Sequence, residues 1–189
     1  MTFKHFRYVA LGACAASALL ATDANAQSQQ VVGATVNLTV QNAFTLVETT
    51  PMNYGTLAAF CDAGANSTTA TLSTAGVLAL GAPAATAQFI DISAVGRTQG
   101  VFDVTGAAPT TSLTVTLANP ANATCAACGG GNPPMTLGGL TDDTLGTGTT
   151  DANGALTINV GATLTTQSTC LAQYADGAYV GTYDITVSY

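Results

Sequence analysis

The strongest constraint on the fold of this chain is a two-residue alternation of apolar and polar side chains that recurs from residue 32 to the last residue. Neighbouring side chains of a β-strand point to opposite faces, so this period is typical of strands with one buried face. After residue 26, no window of a dozen residues carries the 3.6-residue apolar stripe of an amphipathic helix. The sequence therefore predicts an all-β protein.

The strand candidates follow one another at short spacing and are separated by turn residues. The clearest candidate covers residues 32–40, where Val32, Ala34, Val36, Leu38 and Val40 share one face. Further candidates are residues 43–47, 52–60, 68–72, 77–80, 88–95, 101–105, 112–117, 156–164 and 179–189. Residues 118–134 contain Asn-Pro, three consecutive glycines and Pro-Pro, which predicts a long irregular loop. About ten short strands predict a sandwich or barrel, and the two-sided alternation favours the β-sandwich.

The first 26 residues have the features of a bacterial secretory signal peptide. Lys4, His5 and Arg7 precede an apolar run over residues 9–21, and Ala-Asn-Ala at residues 24–26 supplies a cleavage site. The run is shorter than the roughly 20 residues that span a bilayer. We expect export to the periplasm and then to the cell surface, with no membrane span. A lipid anchor at Cys14, which follows Leu-Gly-Ala, is the alternative.

Cleavage at this site divides the chain into three parts. Residues 1–26 form the signal peptide, residues 27–41 an amino-terminal strand segment, and residues 42–189 one β-sandwich domain of ordinary size.

Charge and residue usage exclude several function classes for the mature chain. Arg97 is its only basic side chain, it lacks histidine, and nine acidic residues remain. Such a surface cannot neutralise several phosphates, which disfavours nucleic acid and anionic lipid as partners. The lack of histidine and lysine excludes a Ser-His-Asp triad, a Cys-His pair and a lysine Schiff base. We therefore expect no catalytic residues and no cofactor.

The Gly- and Thr-rich stretch around Asp142, Asp143 and Asp151 could instead carry paired catalytic carboxylates or bind calcium. It lacks the ligand spacing and the terminal glutamate of an EF-hand loop. Asn153-Gly154 is a hairpin turn signal because both residues tolerate positive φ. A hairpin turn accounts for the residue types in this stretch without any bound ion, so we expect no metal site.

Four cysteines follow residue 26, namely Cys61, Cys125, Cys128 and Cys170. An even number in an exported chain predicts two structural disulfides, for which three connectivities are open. The Cys125–Cys128 spacing also suits a redox motif or half of a zinc site. No second such pair, no histidine and no following helix accompany it, which favours a structural bridge.

The two ends of the mature chain carry strands that would expose a hydrogen-bonding edge if unpaired, residues 32–40 and 183–189. They are either two strands of one closed sandwich or surfaces for assembly. We accordingly carry two hypotheses: a structural subunit of a fibre or surface coat, and a monomeric secreted β-sandwich that serves as a binding or adhesion module.

Four motifs resemble a bacterial family known as domain of unknown function 4402. Residues 176–189, DGAYVGTYDITVSY, resemble the ending of that family. Three further stretches resemble its Phe-Gly, Phe-x-Val-Thr-Gly and Val-Gly-x-x-Leu motifs, namely residues 52–55 (MNYG), 102–106 (FDVTG) and 160–164 (VGATL).

Members of that family are similar to pilins assembled by periplasmic chaperones and outer-membrane ushers. Here that similarity rests on residues 35–38 (TVNL), Asn42-Ala43 and the terminal tyrosine strand. It implies an immunoglobulin-like sandwich completed by donor-strand exchange between copies of the chain, a form of β-augmentation. The inserting residues would be Val32, Ala34, Val36 and Leu38, and the acceptor and chaperone edge would be Tyr183, Ile185, Val187 and Tyr189. Phe44 stands where many such pilins carry a cysteine, so their disulfide pairing is not transferred.

Overall fold

The structure, a computed structural model, describes residues 43–189, all of which belong to one compact unit. These residues form eleven β-strands and one short 3₁₀-helix, Ala126–Cys128. In chain order the strands are β1 Thr45–Thr50, β2 Thr56–Phe60, β3 Thr69–Leu72, β4 Leu78–Leu80, β5 Gln88–Ser93, β6 Gly100–Thr105, β7 Ser112–Ala118, β8 Thr136–Asp142, β9 Thr147–Thr149, β10 Leu156–Thr165 and β11 Asp184–Ser188. The predicted all-β fold is confirmed.

The ten-residue strand β10 organises the largest sheet. Along one edge it pairs antiparallel first with β6, through residues 156–160, and then with β3, through residues 162–165. Strand β8 pairs with the opposite edge through residues 160–165. Strand β1 extends the sheet beyond β6, and β4 extends it beyond β3. Two smaller antiparallel sheets have the orders β11-β7-β9 and β2-β5.

Two apolar clusters show how these sheets pack as a sandwich. In the first, Val104 of β6 and Ile158 of β10 contact Leu113 and Val115 of β7. In the second, the other half of β10 contacts β8 and Phe89 of β5. Alternate side chains of β10, from Ile158 to Leu164, belong to the two clusters, so this face of the strand is buried, whereas residues of the other face such as Thr157 and Asn159 keep exposed surface.

The turn into β10 is built as its sequence predicts. Gly154 has φ +74°, and a Cβ at this position would lie 1.9 Å from the carbonyl oxygen of Ala107. The carboxylate of Asp151 accepts hydrogen bonds from the backbone N–H of Asn153 and of Ala155 at 2.8 Å. Only glycine has both the required backbone freedom and the space.

Two sequence expectations differ from the structure in detail. The final strand begins at Asp184 and not at residue 179, because residues 180–182 bond to the loop at residues 121–124. Strands β8 and β9 were not predicted. The amino-terminal strand at residues 32–40, like the signal peptide, lies outside the described residues.

Within residues 43–189 no helix is long and apolar enough to cross a membrane.

The fold predicts that stability depends on the middle of β10. Ile158→Ala removes a fully buried side chain and should lower the free energy of unfolding by about 2–5 kcal/mol, measured by urea denaturation. Val95→Ala, at a side chain 85% exposed, is the matched control and should change it by less than about 0.5 kcal/mol. Equal effects of the two changes would contradict the assigned core.

Candidate functional site

Strands β1 and β11 each have one edge that no strand of residues 43–189 occupies. Strand β1 pairs only with β6, and β11 pairs only with β7. The two strands belong to different sheets and share no ladder. Both therefore present backbone N–H and C=O groups to an additional strand.

The two strands run antiparallel along the same side of the sandwich. At one end the ring of Phe44, just before β1, contacts that of Tyr189, just after β11, with centroids 5.6 Å apart and planes at 74°. Towards the other end Glu48 lies close enough to Tyr183 for its charge to act on the phenol. We call the space along these two edges the β1–β11 opening.

Apolar side chains in the β1–β11 opening are half-buried, although they contact the core. Leu46 of β1 and Ile185 and Val187 of β11 pack against the first apolar cluster and keep part of their surface exposed. They alternate with exposed polar residues such as Thr186. This pattern leaves apolar area in the opening that a further strand could cover.

A cleft of about 630 Å³ lies beside the end of the opening at which Tyr183 and Glu48 meet. Its walls come from residues 51–57, from residues 177–181, and from Tyr183 and Glu48. Its floor consists of buried members of the second apolar cluster, Phe89, Ala123, Met135, Leu137 and Leu164. A volume of this size is typical of small-molecule sites, which range over about 300–1,000 Å³.

Three tyrosines line the cleft, and their hydroxyl groups differ in hydrogen bonding. Tyr54 donates to the carbonyl oxygen of Ala162 at 2.7 Å. Tyr179 accepts from the amide of Asn132 at 2.6 Å and donates to the carbonyl oxygen of Ala175 at 3.2 Å. The hydroxyl of Tyr183 is buried and has no partner among the described residues.

The position of Tyr183 follows from its neighbours. Its ring makes an edge contact with Phe102 at 6.2 Å, and Gly100 leaves the space that its hydroxyl occupies, since a Cβ there would lie 2.6 Å from the oxygen. Burial and then the charge of Glu48 raise the pKa of Tyr183 to about 12. Burial, with a smaller effect from Tyr183, also raises the pKa of Tyr54. Both phenols therefore remain neutral at physiological pH.

The other wall of the cleft is fixed by the long loop at residues 118–134. Val180 and Thr124 exchange backbone hydrogen bonds at 2.9 and 3.0 Å. A bridge between Cys125 and Cys128 lies within this loop, and a Cβ at Gly177 would lie 2.6–2.7 Å from the two sulfur atoms, so Gly177 packs closely against the bridge. These contacts fix the position of residues 177–183. They join distant parts of the chain, so the alternation of apolar and polar residues in the sequence does not predict them.

The predicted site residues fall into three groups. Ile185 and Val187 lie on β11, and Tyr183 and Tyr189 flank it, so the four residues predicted as an acceptor edge follow one line, while their role stays a prediction. The donor residues Val32, Ala34, Val36 and Leu38 lie outside the described residues. The four cysteines form two pairs, Cys61–Cys170 and Cys125–Cys128, with Cα–Cα distances of 6.2 and 5.4 Å.

The acidic residues near β9 accept hydrogen bonds from within the fold. Asp142 accepts from Thr144 and from the N–H of Gly146, and Asp143 accepts from both the N–H and the amide of Asn159. Across residues 43–189, no group of three or more His, Cys, Asp or Glu side chains could hold a metal ion.

The cleft was not predicted, because its lining comes from distant parts of the chain. A partial signal was present: the chain has six tyrosines, and Tyr174, Tyr179 and Tyr183 fall within ten residues. Tyr174 and Tyr179 contact each other edge to face at 5.9 Å.

The two disulfides should differ in their effect on stability. Cys61–Cys170 closes a loop with a sequence separation of 109, against 3 for Cys125–Cys128. Loop entropy predicts that replacing the first pair by alanine lowers the free energy of unfolding by about 4–5 kcal/mol, and the second pair by about 2 kcal/mol. Alkylation without reductant should label none of these four thiols. A larger loss on removing Cys125–Cys128 would contradict this order.

The contrast between Tyr183 and Tyr54 gives a second prediction. Tyr183→Phe removes a buried hydroxyl without a partner, so the free energy of unfolding should stay unchanged or rise by about 1 kcal/mol. Tyr54→Phe removes a made hydrogen bond and should lower it by about 1 kcal/mol. Urea denaturation of both variants provides the measurement. Equal losses would show that the hydroxyl of Tyr183 has a partner in the folded protein.

The comparison with known families finds a match that covers residues 44–189 and is described as a domain of unknown function (DUF4402). Comparisons with curated proteins and with solved structures find no significant match. The matched range takes in all eleven strands, the β1–β11 opening and the cleft. On this match, the chain belongs to the DUF4402 family.

Proposed function

We propose that the chain is an exported structural subunit of a pilus-like fibre or surface coat, assembled by donor-strand complementation. The observation that carries the proposal is the β1–β11 opening. Two edge strands border one apolar core there, and no strand of residues 43–189 lies between them.

The opening suits an added strand both in its backbone and in its side chains. The outer edge of β11 offers main-chain groups for a new ladder, and the half-buried Leu46, Ile185 and Val187 offer an apolar surface. In β-augmentation the first feature supplies strength, and pockets for alternate side chains supply the register.

The segment proposed to fill the opening is residues 27–41 of another copy. Its apolar face, Val32, Ala34, Val36 and Leu38, alternates with small polar residues, and the whole segment is uncharged. An uncharged alternating strand can enter an apolar opening without burying an unpaired charge.

The immunoglobulin-like topology and the pilin-like mode of assembly are parts of the same proposal. An open apolar edge needs protection before assembly, since such edges pair with other chains. A periplasmic chaperone would protect this edge by pairing with Tyr183, Ile185, Val187 and Tyr189. An outer-membrane usher would order the assembly of the copies.

A second candidate function is a monomeric secreted β-sandwich that acts as a binding or adhesion module, with residues 27–41 closing the opening of their own copy. The cleft beside Tyr183 favours it, because a shaped cleft with an apolar floor is typical of ligand-binding domains.

Assembly tests the first proposal with two matched substitutions on opposite faces of one strand. Val36→Asp places a charge in the apolar opening and should reduce polymer formation at least about a hundredfold, because an unpaired buried charge costs several kcal/mol. Asn37→Asp adds the same charge on the solvent face and should leave assembly near the wild-type level. Size-exclusion chromatography of the full exported chain provides the measurement.

Two further outcomes separate the candidates. An excess of a peptide of residues 27–41 should block polymerisation of the wild-type protein, whereas the peptide carrying Val36→Asp should not. A wild-type protein that stays monomeric, and whose unfolding temperature falls sharply with Val36→Asp, would reject the fibre and support the closed monomeric module.

A further inference from the structure

The cleft beside Tyr183 contains one charged group that the fold does not use. The hydroxyl of Tyr183 is buried beside Gly100, so a ligand in the cleft contacts the tyrosine ring and not its oxygen. The carboxylate of Glu48 lies at the same end of the cleft, and the single ion pair among residues 43–189 joins other residues, Arg97 and Asp91. The exposed carboxylate of Glu48 is therefore available to a ligand.

The charge of the cleft favours a cation over an anion. No lysine, arginine or histidine lines it, whereas Glu48 does. Arg97 is the only basic residue after residue 26, and it is held by Asp91 at 2.5 Å and by the carbonyl oxygen of Tyr54 at 3.1 Å. An anionic ligand would meet Glu48 without any compensating positive charge.

The aromatic lining points to the same kind of ligand. Tyr54, Tyr179 and Tyr183 line the cleft, and Met52 and Leu57 add apolar surface between them. The face of an aromatic ring attracts a cation, and aromatic cages recognise alkylated ammonium groups in this way. An alkylated ammonium combines a positive charge with apolar substituents that suit an apolar floor.

We infer that this cleft binds a small organic ammonium cation, with its alkyl groups against the tyrosines and Met52 and its charge opposite Glu48. Because the pKa of Tyr183 is raised to about 12, that phenol stays neutral and Glu48 alone supplies the charge. The inference holds for a monomer and for a fibre, so either proposal can fail while the other stands.

The experiment compares choline with 3,3-dimethylbutan-1-ol, which has the same shape without the charge, by titration calorimetry of the full exported chain. Choline should bind about tenfold more tightly, as expected for a cation that interacts with aromatic rings and a carboxylate. Phosphocholine should bind more weakly than choline, because its phosphate meets Glu48. Equal affinities for choline and the neutral alcohol, or no binding of choline, would overturn the inference. Tighter binding of phosphocholine would overturn the assignment of a simple cation.

A pair of charge-matched variants locates the site. Glu48→Gln should weaken choline binding about threefold or more, while affinity for the neutral alcohol stays the same. Asp143→Asn removes one negative charge from an exposed turn outside the cleft and should leave choline affinity unchanged. Both positions are exposed, so both variants should fold. Equal losses in the two variants would indicate general attraction to an acidic protein and would reject the cleft as the site.

Discussion

The structure depends on the pairing of β10 with three other strands. Its amino-terminal half pairs with β6, its carboxy-terminal half pairs with β3, and β8 pairs along its other edge. One strand thereby connects both apolar clusters, since Ile158 and Val160 belong to the first and Ala162 and Leu164 to the second. Gly161 lets the backbones of β10 and β3 approach closely, because a Cβ there would lie 2.4 Å from the carbonyl oxygen of Leu72.

The β1–β11 opening and the cleft both arise where the sandwich is least complete. Strand β1 is an edge strand of the large sheet, and β11 is an edge strand of the three-stranded sheet. The core between them is therefore bordered on two sides by an unpaired strand edge. Tyr183 lies just before β11 and packs against both apolar clusters. One residue therefore belongs to the border of the opening and to the lining of the cleft, which makes the two sites neighbours.

The sequence carried enough information for the fold class but not for every element. Strand β10 was predicted because Leu156, Ile158, Val160, Ala162 and Leu164 alternate without interruption. Strand β8 was missed because Gly138 and Gly139 interrupt its alternation, and β9 was missed because Thr-Gly-Thr contains no apolar side chain. The cysteine pairing required the fold, since three connectivities suit the same four positions. The cleft required it as well, because residues 51–57 and 177–183 meet only in the tertiary structure.

The ion pair between Arg97 and Asp91 has a consequence for contacts between copies of the protein. It uses the only basic side chain of residues 27–189, so two copies cannot attract each other through salt bridges. Their net negative charges instead repel at long range, over a Debye length of about 8–10 Å near physiological salt. Cohesion between copies must come from main-chain hydrogen bonds and apolar area, neither of which depends on unlike charges. Rising ionic strength therefore removes a barrier to their association and weakens no attraction between them.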